Sequence, residues 1–193
     1  MRLDHIAYRS KDRKKTAKFF QECFGYTKGA EFELKFDDGT TTDCIALAPP
    51  ETRHEETENW VYKVSMGSHF AGPGDPIYTV NCEFHAPPEI FVSDGESGSI
   101  VGDWVEERGG TGGVHHIAYQ VEDVAATMEE WKDKGYAEFY SEKPLVCEET
   151  HLTQVFSKPS ELTGVIYEFI KRGKDNKGFC EVNVKGLMES TRK

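Results

Sequence analysis

Two stretches of the chain carry the same succession of hydrophobic patterns. Asp4-His5-Ile6-Ala7-Tyr8 recurs as His115-His116-Ile117-Ala118-Tyr119, and each is a short apolar run of strand character. Seven residues past the histidine that precedes isoleucine stands an aspartate in both copies, Asp12 and Asp123. A helical spacing follows, with Phe19, Phe20, Cys23 and Phe24 near one face in the first copy and Val124, Met128 and Trp131 in the second. Both helices are expected to end at a Gly-Tyr pair, Gly25-Tyr26 and Gly135-Tyr136, because glycine suits the left-handed residue after a helix.

Beyond each Gly-Tyr the period changes to that of strands. Glu31 to Phe36 alternates, Asp37 to Thr40 turns, and Asp43 to Leu47 returns. Ile77 to His85 reads as a further strand, Pro87-Pro88 as a break, and Glu89 to Val92 as the last strand of the copy. The second copy is more compact, with strands at Thr153 to Phe156 and Val165 to Ile170. The pattern predicts an α+β fold of two tandem βαβββ modules. The first spans 1–99 and carries a loop insertion near 50–76, with its Pro49-Pro50, the acidic run Glu51 to Glu58, and Gly72-Pro73-Gly74. A connecting helix and Gly-rich linker occupy 100–113, the second module 114–172, and a tail with a helix over Phe179 to Met188 the remainder to 193.

Charge narrows the partners. Among 193 residues, 34 acids against 23 bases give a net charge of -11, a field that repels phosphate backbones and anionic lipid. Neither a nucleic acid nor a membrane is the expected partner. No apolar run approaches the ~18 residues of a membrane span, and the Met1-Arg2-Leu3-Asp4-His5 start lacks the apolar stretch of a signal peptide, so the expectation is a soluble cytoplasmic protein. The five cysteines, Cys23, Cys44, Cys82, Cys147 and Cys180, are odd in number and scattered without a C-x-x-C pair. They read as reduced thiols, mostly packing residues.

The duplication also locates candidate chemistry. His5 and His116 occupy the same strand position in each copy, so approximate twofold symmetry directs both imidazoles to one cavity as metal ligands. Glu168 is an acid inside the apolar run of the last strand, costly to bury unless it meets a cation. Two histidines and one carboxylate form the facial set used by non-haem Fe(II); Glu89, heading the corresponding strand of the first copy, would add a fourth ligand suited to Zn, Co, Ni or Mn. Glu89 also reads as an exposed strand-start residue. His115 is expected to face the opposite side of the sheet from His116 by simple alternation. His54, His69, His85 and His151 have no symmetric partner and read as incidental.

These residues resemble the vicinal oxygen chelate superfamily of glyoxalase I, methylmalonyl-CoA epimerase and extradiol dioxygenases. The match is nearest to the catalytic carboxy-terminal half of 4-hydroxyphenylpyruvate dioxygenase, through Trp104 to Ala118, Leu152 to Pro159, Tyr167 to Arg172 and Gly178 to Ser190. That resemblance implies Fe(II) at His5, His116 and Glu168, a substrate-facing catalytic Gln154, a gating helix at Phe179 to Met188, and a small 2-oxo acid that chelates the metal. Homodimers occur in such folds. The segment 94–118 also resembles methylmalonyl-CoA epimerase, which implies a metal-dependent epimerase or lyase with Glu89 as the fourth ligand. A third reading is a non-catalytic protein that sequesters a ligand in the duplicated cavity.

Overall fold

A computed structural model of the chain describes residues 1–50, 62–63, 68–70, 76–78, 81–82, 88–173 and 178–192. The chain forms two compact units, one of residues 1–49 and 88–193, the other of residues 50–87. The first unit begins with β1 (Arg2–Arg9), α1 (Arg13–Phe24), β2 (Thr27–Lys35) and β3 (Thr41–Ala48). The second unit contributes β4 (Tyr62–Lys63), β5 (Ser68–Phe70), β6 (Pro76–Tyr78) and β7 (Asn81–Cys82). The first then resumes with β8 (Glu89–Asp94), α2 (Ile100–Glu107), β9 (Gly113–Gln120), α3 (Val124–Asp133), β10 (Leu145–Cys147), β11 (Leu152–Phe156), β12 (Ile166–Lys171) and α4 (Glu181–Ser190).

The main sheet is a curled half-barrel of eight strands in the order β10-β11-β12-β9-β1-β8-β3-β2. The order is symmetric about its centre. There β1 and β9 pair antiparallel; each is flanked by a parallel partner, β8 or β12, and then by two antiparallel strands. Two βαβββ modules therefore meet through their first strands.

Side-chain alternation divides the sheet into two faces. On the outer face Ile6, Tyr8, Ile45, Leu47, Ile90 and Val92 pack against Ala17 and Phe20 of α1. Tyr119, Val155 and Phe169 likewise pack against Val124, Met128 and Trp131 of α3. The inner face carries Ala7, Cys44, Ala46 and Phe91, covered by Ile100, Val101 and Val105 of α2 and by Val184 and Met188 of α4.

The recurring aspartates explain themselves as helix caps. Asp12 accepts from the Lys15 N–H and Asp123 from the Ala126 N–H, each satisfying a donor of the first turn that has no partner within the helix. At the other ends, Gly25 (φ 74) and Gly135 (φ 67) adopt the left-handed conformation that the Gly-Tyr pairs predict.

Several expectations are corrected. In α1 the predicted apolar face is only partly used: Ala17 is buried, whereas Phe19 and Phe24 are 53% and 55% exposed. The helix rests on a narrow strip of β3 and β8, and Phe19, Phe20 and Phe24 pack against one another instead. The second compact unit comprises residues 50–87, and the expected loop insertion near 50–76 falls within it. Within it β4 pairs with β7 and β5 with β6. The expected strand from Ile77 to His85 is thus represented, among the described residues, by β6 and β7, which belong to different small sheets. His54, His85 and the side chain of His69 lie outside the described residues. The short strand β10 has no counterpart in the sequence reading.

The cysteines need the largest correction. Cys147, at the end of β10, is joined to Cys180, the N-cap residue of α4, in a disulfide. The pair is separated by 33 residues in sequence and becomes adjacent only because α4 packs back onto β10 and β11. Cys23 is a free exposed thiol and Cys44 a free buried one. No helix among the described residues is long and apolar enough to cross a membrane.

Protein denatured without reductant should titrate two fewer thiols than the five present after full reduction. Five free thiols in the unreduced sample would refute the bridge. Asp123→Ala should lower stability by about 1 kcal/mol in urea denaturation, the ordinary cost of losing a helix N-cap; no change would remove the capping role.

Candidate metal centre

The central ladder between β1 and β9 carries two irregularities, and they build the site. The register shifts between Leu3 and His5, leaving Asp4 as an extra residue on β1. It shifts again between Ala7 and Tyr8, opposite His116 and Val114, leaving His115 as the extra residue on β9. A bulge disturbs the alternation of side chains. Each copy thereby sets the residue before its inward histidine beside that histidine's ring. The Asp4 carboxylate lies 2.8 Å from His5 Nδ1, and His115 Nδ1 lies 2.9 Å from His116 Nδ1. The expectation that His115 faces the opposite side is therefore corrected: it is buried and lines the inner cavity.

The other edges of both rings converge. His5 Nε2 is 3.2 Å from His116 Nε2, and Glu168 Oε2 is 3.3 Å from His5 Nε2 and 3.1 Å from His116 Nε2. Donors ~2.1 Å from one ion stand about 3.0 Å apart at right angles and about 3.4 Å apart at tetrahedral angles. The observed triangle lies between these values. Two imidazoles and a carboxylate are also a donor set that divalent metals favour, so the residues fit an ion.

Surrounding groups hold the three in place. Gln154 Nε2 donates to Glu168 Oε1 at 2.6 Å, and Asn183 of α4 donates to Gln154 Oε1 at 3.0 Å and to the Leu152 carbonyl at 3.1 Å. Gln154 lines the cavity, and both ends of its amide are engaged. Arg172 donates to both Asp4 oxygens, at 2.8 and 2.7 Å, and to Glu89 at 3.2 Å. Glu89 is thus turned to Arg172, and the structure brings together three of the four sequence-predicted ligands. His151 is exposed, in the turn before β11.

The electrostatics follow from burying these charges together. Burial alone would push the Glu168 carboxyl up, yet the two imidazoles hold it well below the usual carboxylate range. Burial works against charging His5 too, but Glu168 and Asp4 outweigh it and raise its pKa to about 9. His116 moves the other way: burial prevails, and the charges of His5 and Arg9 add to it against the pull of Glu168. Without a metal, the cluster is an imidazolium at His5 paired with an ionised Glu168 beside a neutral His116. His115, pushed far down by burial and by Arg9, is neutral as well and accepts the Nδ1 proton of His116 when Nε2 of that ring faces an ion.

A cavity of about 30 Å³ opens on this cluster, lined also by Ala7, Arg9, Phe91, Ser93, Phe156 and Phe179 and by Val184, Leu187 and Met188 of α4. Such a volume holds roughly one or two waters. Phe179 stands edge-on to His5 at 4.9 Å and Phe156 lies 4.6 Å from His116, ring centre to ring centre.

Residues 4–151 match the model of the glyoxalase/bleomycin resistance protein/dioxygenase superfamily. The chain belongs to this superfamily. Its members include metal-dependent enzymes, and its fold is that of the vicinal oxygen chelate proteins. The chain is 28% identical over 130 residues to the ethylmalonyl-CoA/methylmalonyl-CoA epimerase of Cereibacter sphaeroides, a match spanning 64% of this chain and 92% of the epimerase. Among solved structures it resembles a variant of 4-hydroxymandelate synthase from Streptomyces coelicolor (TM-score 0.68, 18% identity, 98% of this chain). The chain spans about half of that synthase, 52% of its length. It also resembles the methylmalonyl-CoA epimerase of Mycobacterium tuberculosis, with a TM-score of 0.55, 15% identity, and coverage of 89% of this chain and 87% of that one.

Sequence reasoning missed Asp4, Arg9, Arg172 and Asn183 as parts of the site. Asp4 had a visible signal, its place beside the repeated histidine. The arginines and Asn183 reach the cluster only through folding.

The raised pKa of His5 has a defined pH consequence for the metal-free protein. A group whose folded pKa is raised stabilises fully below its unfolded value and loses that contribution as pH climbs through the folded value. The window for His5 runs from 6.5 to about 9, and a shift of that size corresponds to something on the order of 3 kcal/mol. Thermal unfolding of chelator-treated protein should move to lower temperature across that window, and Glu168→Gln should flatten the profile. A flat profile in the unsubstituted protein would refute the buried ion pair.

Proposed function

We propose that the chain is an Fe(II)-dependent oxygenase acting on a small 2-oxo acid, in the manner of the 4-hydroxyphenylpyruvate dioxygenase group. The observation that carries this reading is the three-membered cluster itself: His5, His116 and Glu168 converge within hydrogen-bond distances, while Glu89 is tied to Arg172. A site with three protein ligands leaves positions for a chelating substrate and for oxygen, whereas a fourth carboxylate would suit closed Lewis-acid chemistry. The fold likeness to 4-hydroxymandelate synthase over nearly the whole chain is in keeping with it.

An ion at this place would be held by the two Nε2 atoms and Glu168 Oε2, and when bound it would supply electron transfer to oxygen and polarisation of a 2-oxo group. The protein's own part is to position and to exclude water. Asp4 keeps the His5 proton on Nδ1, directing the Nε2 lone pair inward. Gln154 engages Glu168 Oε1 and leaves Oε2 to face the imidazoles. Phe91, Phe156, Phe179 and the α4 side chains wall the cavity with apolar surface. Because a volume of about 30 Å³ is too small for a 2-oxo acid, α4 or the Phe179 segment shifts to admit one.

A metal-dependent epimerase is the second reading, favoured by the alignment to the Cereibacter enzyme across most of that enzyme's length. One experiment separates the two. Protein reconstituted with Fe(II) should consume oxygen and release carbon dioxide in equal amounts with a member of a 2-oxo acid panel, and His116→Ala should abolish both together with metal retention. No oxygen uptake with any 2-oxo acid, alongside anaerobic solvent-proton exchange into methylmalonyl-CoA, would replace the oxygenase reading by the epimerase one.

A further inference from the structure

On β1 the inward positions are His5, Ala7 and Arg9, so a cation stands on the same face as the first metal ligand. The two Cα atoms are about 13 Å apart along the strand. Arg9 is 3% exposed and lines the cavity. Its charge is met by neutral partners only: Nη1 donates to the Ile100 carbonyl at 3.3 Å and Nη2 to the Thr191 hydroxyl at 3.2 Å, both at the long end of the hydrogen-bond range. These bonds use two of the five guanidinium hydrogens. Among the described residues no carboxylate forms an ion pair with it.

The other enclosed arginines are treated differently. Arg13 meets Glu31, Asp43 and Asp94, and Arg172 meets Asp4 and Glu89. Of these three enclosed arginines among the described residues, the one inside the cavity has neutral partners only, the Trp104 ring at 5.7 Å among them. A buried charge without a counter-charge is costly, and the cost is offset when an anion enters beside it. The Ser93 hydroxyl and the His115 ring line the same cavity and can take part in holding such a group.

We propose that Arg9 is the specificity-determining residue for a second acidic group on the substrate: the cavity takes a 2-oxo dicarboxylic acid, with its 2-oxo acid end at the His5, His116 and Glu168 centre and its far carboxylate on the Arg9 guanidinium. The inference rests on the 2-oxo acid reading above and narrows it. A charge-assisted, bidentate contact of this kind discriminates strongly against a partner that lacks the carboxylate.

The test compares 2-oxoglutarate with 2-oxopentanoate, which have the same chain length and differ in the terminal carboxylate. Titration calorimetry on anaerobic Fe(II)-loaded protein should give at least tenfold tighter binding of the diacid, a margin set by one hydrogen-bonded charge. Arg9→Gln should erase that margin, bringing the two affinities within a factor of about two of one another, and Arg9→Lys should restore part of it. Equal affinities in the unsubstituted protein, or a margin that survives Arg9→Gln, overturns the assignment. If neither acid binds although metal is retained, the 2-oxo acid reading fails, and Arg9 is judged on metal-free protein by thermal shift with glutarate against pentanoate. Stabilisation by glutarate alone, lost in Arg9→Gln and retained in Arg9→Lys, upholds the anion site; equal responses refute it.

Discussion

An ionised carboxylate enclosed between two imidazoles is the constraint around which this fold is arranged. Glu168 is 1% exposed, and a lone charge at such depth would cost several kcal/mol. It persists because His5 approaches from one module, His116 from the other, and Gln154 from the adjacent strand. None of these partners is near Glu168 in sequence except Gln154. The antiparallel meeting of β1 and β9 brings the two histidines together, and the parallel pairing of β12 with β9 places the carboxylate beside them. Symmetry of the sheet and chemistry of the site are thus the same fact seen at two scales.

The second layer departs from that symmetry. Both modules use a bulged residue to set a group against the Nδ1 of the inward histidine, but one supplies an aspartate and the other a second histidine. The consequence is electrical. Burial opposes charge on both rings; at His5 the carboxylates of Glu168 and Asp4 outweigh it, whereas at His116 it prevails, with the charges of His5 and Arg9 added to it.

The carboxy-terminal helix closes the cavity and is fastened to the sheet in three ways. Cys180 is bonded to Cys147, Asn183 donates to Gln154, and Val184, Leu187 and Met188 present apolar surface to the cavity. Through Asn183 and Gln154 the helix is linked by consecutive hydrogen bonds to Glu168 itself. The position of the helix and the support of this carboxylate are therefore mechanically related.

The sequence by itself determined the duplication, and with it the tandem βαβββ modules, the helices ending at Gly-Tyr and the positions of His5, His116 and Glu168. Those features are local or repeated: strand and helix periods, the recurrence of Asp12 and Asp123, an acid out of place in an apolar strand. Only the tertiary structure decided that Cys147 meets Cys180, that Arg172 pairs with Glu89 as well as with Asp4, and that Arg9 stands in the cavity facing neutral partners. It also decided the side of His115, because a bulge depends on how two strands far apart in sequence fall into register. The division has a simple cause. Periodicity reports which face a residue takes within its own element, whereas ion pairing and bridging depend on which elements become neighbours, and no single segment of the chain carries that information.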